Sequence, residues 1–333
     1  GTNVVGLIDT GRPGKTIAFR GDIDALPVHE EANVPFKSEI DGLMHACGHD
    51  SHAAMVLGAA RILNDHKDEL SGKIYVCFQK GEEVGIGARD IVEYLKEQIS
   101  TDFEPLPEDV KCQVKYVDES LEDSLSPALY LTSPIDDYKD NVVYLNQSED
   151  YDLTECFSTI AHESYPGRLY QNAYFLSQEP SLFRRIVSVG GYAEGWGTYA
   201  EKYSYGISGM SRDTAELNAE NLIATLCLYA KADINVNYHG WSRKKLAAYL
   251  KDFGFDGSQA SIVFDSVVAE PVSYMQYTLG YLEINELLSE AKEALGEKFS
   301  LKEFHKFYLG MGPVPFIVLQ DCLDDWIQTQ KQG

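Results

Sequence analysis

A change of hydrophobic period near residue 98 constrains this chain more than any other feature of its sequence. Ahead of it, short apolar runs at residues 4–8, 16–19 and 73–78 sit between Gly, Pro and Asp, as strands should. Stretches at 53–63 and 86–98 carry the composition of helices, and the alternation predicts an α/β layer. Residues 100–150 hold Pro105, Pro107, Pro127 and Pro134 among acidic and aromatic residues. This segment reads as irregular, with one or two short strands such as 142–145. From Leu153 onward apolar residues recur at three-to-four spacing, most clearly at 217–232, 244–253, 274–294 and 301–308. Ser300 with Glu303 forms a plausible capping box for the last of these. The expected fold is α+β, an α/β segment over residues 1–97 followed by a mainly α-helical domain over 98–333.

With 333 residues, 44% of them hydrophobic, the chain can bury the cores of two domains. No apolar stretch reaches the roughly 18 residues of a membrane span. Lys and Arg number 28 against 52 Asp and Glu, a net charge of -24. That surface repels phosphate backbones, favours cations and keeps the chain dissolved, so nucleic acid is not an expected partner. Six scattered cysteines without a CxxC pair suit reduced thiols, which points to the cytoplasm. The chain opens on Gly1 with no signal segment, which leaves export of a longer parent protein open.

Two groups of residues carry chemistry. The first runs from Arg20-Gly21-Asp22-Ile23-Asp24 through His45-Ala46-Cys47-Gly48-His49-Asp50 to Gly81-Glu82-Glu83. A thiolate, imidazoles and adjacent carboxylates can ligate divalent metals, and one Glu of a pair can take a proton from metal-bound water. These motifs resemble the amidohydrolase branch of the M-twenty metallopeptidases, enzymes that cleave N-acyl amino acids with two metal ions. The resemblance implies Cys47, His49 and Glu83 as ligands of manganese or zinc, and Glu82 as general base. It covers only an early slice of that family's catalytic domain. No histidine lies between His66 and His162, so the later histidine ligands are missing and this group is not expected to hold two metals.

The second group is His162-Glu163-Ser164-Tyr165-Pro166-Gly167-Arg168, followed by Glu194-Gly195-Trp196. A His-Glu pair with a later Glu is a common way to build a zinc peptidase site. Residues from about 98 to 330 resemble the C-terminal half of a bacterial family catalogued as domain of unknown function 885. Its members look like mostly helical zinc peptidases with His-Glu-x-x-Pro-Gly-His and Glu-Gly-Trp motifs. The resemblance implies His162 and Glu194 as zinc ligands and Glu163 as general base. Tyr277 could orient substrate or simply pack as a helix aromatic, and Trp196 could be a substrate platform or core. His239 and His305, beside aromatics, read as partly buried structural residues.

The departure is Arg168, which stands where the motif has its second histidine. A guanidinium stays protonated and offers no lone pair to a metal, so zinc binding should be weak. Arg168 could instead pair with Glu163 or Glu194, or meet substrate. Six residues place 162 and 168 about 120° apart on a regular helix, so Pro166-Gly167 must break it for residue 168 to face the site. The functional expectation is a metal-dependent hydrolase of peptide or amide bonds, impaired at Arg168. Alternatives are a dimetal N-acyl-amino-acid amidohydrolase using Cys47, His49, Glu82 and Glu83, and an inactive hybrid or peptide-binding scaffold. The expected ligand is a peptide or an N-acyl amino acid.

Overall fold

The computed structural model describes residues 4–26, 28–32, 34–79, 86–148, 151 and 156–332. The chain forms two compact units, Gly1–Asp90 and Ile91–Gly333.

In the first unit, strands β1 (Val4–Asp9), β2 (Thr16–Asp22) and β3 (Lys73–Gln79) make a sheet in the order β1-β3-β2. Strand β3 runs antiparallel to β1 and parallel to β2, with Val76 opposite both Gly6 and Phe19. Helix α1 (His49–Asp65) lies in the β2-to-β3 connection, as a parallel pair requires. Val5, Leu7 and Ile17 on the strands and Met55, Leu57 and Ile62 on α1 stay exposed. The layer therefore leaves apolar surface that a complete domain core would bury.

Helix α2 (Ile86–Gln98) follows, over the residues its pattern predicts. The boundary between units falls within it, at residue 90, ahead of the expected 97. The cause is burial: Val92, Leu95 and Ile99 are at most 4% exposed, in the core of the second unit. That unit has its own sheet of β4 (Lys111–Tyr116), β5 (Ala128–Tyr130) and β6 (Asp140–Leu145), ordered β4-β6-β5. One or two strands were expected there; alternating burial of Ala128, Tyr130, Val143 and Leu145 gives the third its place.

The remainder is helical: α3 (Phe157–Glu163), α4 (Arg168–Ser177), α5 (Leu182–Ile186), α6 (Gly190–Ile207), α7 (Arg212–Asp233), α8 (Arg243–Lys251), α9 (Gly257–Ala269), α10 (Ser273–Leu295), α11 (Leu301–Met311) and α12 (Phe316–Gln332). Helix α6 is the hub, packed on α3, α7 and α10. Ser300 caps α11 by accepting from the Glu303 N–H at 3.4 Å, while the full reciprocal box belongs to Asp256 and Gln259 at the start of α9. Among the described residues no helix is long and apolar enough to cross a membrane.

His305 on α11 belongs to this core. Its Nδ1–H donates to the Asp102 carbonyl at 2.7 Å, its Nε2 accepts from the Tyr199 hydroxyl at 2.7 Å, and its ring stacks on Phe103 at 4.1 Å. His239, by contrast, is exposed beyond the π-turn Ile234–Tyr238, against the partial burial expected of it. Burial holds the His305 imidazole neutral and pushes its pKa from 6.5 down to about 4. The folded value is the depressed one. Its stabilising effect is therefore complete above pH 6.5 and is lost as pH falls toward 4. Urea denaturation should show His305→Gln losing about 2 kcal/mol less than the unaltered chain between pH 7 and pH 5. Equal losses would place the acid sensitivity elsewhere.

Candidate active site

Helix α3 ends at Glu163 and α4 begins at Arg168, so the chain turns sharply over 164–167. Gly167 passes so close to the His162 and Ala161 carbonyls that a Cβ would stand 1.8 and 2.3 Å from their oxygens. The Trp196 indole N–H donates to the Pro166 carbonyl at 2.8 Å and ties this turn to α6. Trp196 is fully buried. This corrects its reading as a substrate platform: its polar edge is spent on the turn and its faces on Phe103 and Tyr308. The break expected at Pro166-Gly167 thus turns Arg168 toward His162 and Glu163.

Around that turn five ionisable side chains converge. His162 Nε2 lies 3.4 Å from Glu194 Oε2, and its Nδ1 lies 3.2 Å from Glu201 Oε2. Arg168 reaches both neighbouring carboxylates, Glu194 Oε1 at 3.3 Å and Glu163 Oε2 at 3.7 Å. Glu163 also accepts the Tyr130 backbone N–H at 2.9 Å. Tyr277 lies near Glu194 and helps to lower its carboxyl, and its ring lies 5.9 Å from His162. Glu201 was missed in the sequence, although it follows Glu194 by seven residues, two turns along one helix face. Ser158 donates to Glu201 at 3.3 Å, and Tyr205 donates to Ser158 at 3.2 Å, so Glu201 is itself held in place.

The electrostatics follow from burial and pairing. Burial alone would push the His162 imidazole down, but its bonds to Glu194 and Glu201 and the charge of Glu163 hold it up at about 10. Burial raises Glu163 above the usual carboxylate range despite the charges of His162 and Arg168. For Glu194, burial is outweighed by the His162 bond and the Arg168 charge, and it is lowered. Burial and the Glu194 charge push Tyr277 up. The site thus gathers two basic and three acidic side chains.

A zinc ion does not fit this set. His162 and Glu194 stand apart by about the edge of a tetrahedral zinc shell, but two protein ligands are one short of a catalytic site. The third position carries a guanidinium already bonded to the carboxylates, and His162 holds a proton that a metal would have to displace. Among the described residues no group of three or more His, Cys, Asp or Glu side chains is placed to hold a metal.

Beside the cluster, a cavity of about 750 Å³ is lined by His162, Glu163, Glu201, Glu270, Tyr274 and Tyr277. In the first unit, His49 is buried with Nδ1 3.1 Å from Asp24 Oδ1, and Cys47 is exposed. Glu82 and Glu83 lie outside the described residues. The acidic partner of His49, Asp24, was in the quoted motif but not singled out.

The N-terminal segment is similar to M-twenty amidohydrolases. Thermostable carboxypeptidase 2 of Saccharolobus solfataricus is 53% identical over 94 residues, which are 28% of this chain and 24% of that protein. N-acetylcysteine deacetylase of Bacillus subtilis is 48% identical over 92 residues, 28% of this chain and 24% of that one. The chain spans about a quarter of the length of these curated relatives. Among solved structures, the "putative lipoprotein" of Colwellia psychrerythraea matches with a TM-score of 0.64 at 26% identity, over 74% of this chain and 43% of that one. The family model described as "Bacterial protein of unknown function (DUF885)" matches residues 38–323, beginning inside the first unit and covering most of the chain. The chain belongs to that family.

Proposed function

We propose that the helical unit is a zinc-peptidase-like cleft for peptides or N-acyl amino acids, and that Arg168 holds it in a metal-free, hydrolytically weak form. One observation carries this reading: the guanidinium lies against Glu163 and Glu194 together, at 3.7 and 3.3 Å. Its positive charge lies against the carboxylate that would act as base and the one that would hold zinc, and there it opposes a dication. What this chain's own residues do is narrower. Glu163 and Glu194 fix Arg168, Glu201 orients His162, and Tyr277 presents a hydroxyl to the cavity.

The test is hydrolysis of an N-acetylated dipeptide with zinc present. Arg168→His should gain zinc-dependent cleavage that the unaltered chain lacks, and adding Glu163→Gln should remove the gain. Cleavage by the unaltered chain at the rate of Arg168→His would refute the proposal. A dimetal amidohydrolase in the first unit is the competing reading, favoured by the His49–Asp24 pair. It requires Glu82→Gln to abolish cleavage by the unaltered chain, whereas our reading requires Glu82→Gln added to Arg168→His to leave the gained cleavage in place.

A further inference from the structure

A second cavity, of about 390 Å³, has Arg168 in its lining. Its lining includes Arg168, Arg184, Arg185, Gln171, Asn172 and Phe175, and no Asp or Glu. This is the reverse of the chain as a whole, with its net charge of -24. Arg184 and Arg185 on α5 are half-buried, and no carboxylate among the described residues pairs with either.

Their guanidinium groups are nevertheless held. Arg184 donates to the Met311 carbonyl at 2.6 Å and lies 5.7 Å from the Phe175 ring centre. Arg185 donates to the Pro180 carbonyl at 3.0 Å and the Ile135 carbonyl at 3.4 Å. A guanidinium has five N–H donors, so each keeps several for a ligand, and backbone anchors set their direction beforehand. Phe175 and Leu176 supply an apolar wall. A planar anion with an apolar body matches such a lining, and a carboxylate is what the arginine fork pairs with in two parallel bonds.

We propose that this cavity receives the free carboxylate end of the substrate, so that the cleft selects peptides or N-acyl amino acids with an unblocked C-terminus. The inference rests on the reading of the cleft as a peptide site. It adds which part of the ligand this cavity takes: the carboxylate, toward Arg184 and Arg185.

The test is calorimetric binding of N-acetyl-alanyl-phenylalanine, as the free acid and as the C-terminal amide, to the unaltered full chain. The acid should bind about tenfold tighter or more, the range of a charge-assisted pair. Arg185→Gln should reduce acid binding to the level of the amide, and Arg185→Lys should restore part of the preference. Arg184→Gln should act in the same direction. Equal binding of acid and amide by the unaltered chain would overturn the cavity assignment while leaving the peptide cleft standing. A preference that survives both glutamine variants would overturn it too. Binding of neither peptide would overturn the cavity assignment and the peptide cleft together.

Discussion

Arg168→His should bind zinc on the order of a thousandfold more tightly than the unaltered chain, about 4 kcal/mol. Two effects act in the same direction. The guanidinium that now stands 3.3 Å from Glu194 is a positive charge beside any incoming dication. At an effective dielectric of about 20 and about 4 Å, each pair of unit charges costs roughly 4 kcal/mol. The substitution removes that repulsion and supplies a third ligand beside His162 and Glu194. Calorimetric titration of both proteins measures the difference. His162→Ala in the Arg168→His background should return affinity to the starting level, and a change that survives it would place the zinc elsewhere.

Gly195→Ala should destabilise the helical unit by about 3 kcal/mol or more. Helices α6 and α10 cross where Gly195 meets Gly280, and a Cβ on Gly195 would stand 2.3 Å from the Gly280 carbonyl carbon. A Cβ on Gly280 would stand 2.2 Å from the Gly191 oxygen. Both obstacles are backbone, so no side chain can turn away, and the helices must separate. Separation would also move Glu194 and Tyr277, which face each other across this contact. Gly206, on the same helix, has nothing within 4 Å of its would-be Cβ. There alanine should stabilise by up to about 1 kcal/mol through helix propensity alone. Guanidinium denaturation followed by far-ultraviolet circular dichroism compares the two. Similar effects at 195 and 206 would mean that the close crossing does not govern stability.

The contrast between those glycines shows where the sequence was legible and where it was not. Strands β1, β2 and β3 follow from short apolar runs between Gly, Pro and Asp, and helices α7, α8, α10 and α11 from apolar spacing at three-to-four residues. Helix α6 holds Gly190, Gly191, Gly195 and Gly197, which propensity disfavours. It forms because glycine lets α10 approach, a tertiary cause that no local window contains. Helix α9 was missed because Ile262, Val263, Val267 and Val268 mimic strand composition. In the site, His162, Glu163 and Glu194 were legible from motif spacing, and so was the possibility that Arg168 pairs with the carboxylates. Glu201 was not, since nothing near it in sequence marks it; only its helical phase with Glu194 does. Trp196 was open to two readings, substrate platform or core, and its buried indole, bonded to the turn at Pro166, is core.

The central claim is that a guanidinium stands in for a metal between Glu163 and Glu194. Zinc content of the unaltered chain and of Arg168→His, both purified without chelator from zinc-supplemented cells, tests it most directly. The unaltered chain should carry far less than one equivalent, and Arg168→His should carry one that His162→Ala removes. One tightly held zinc in the unaltered chain, lost on His162→Ala, would contradict the claim.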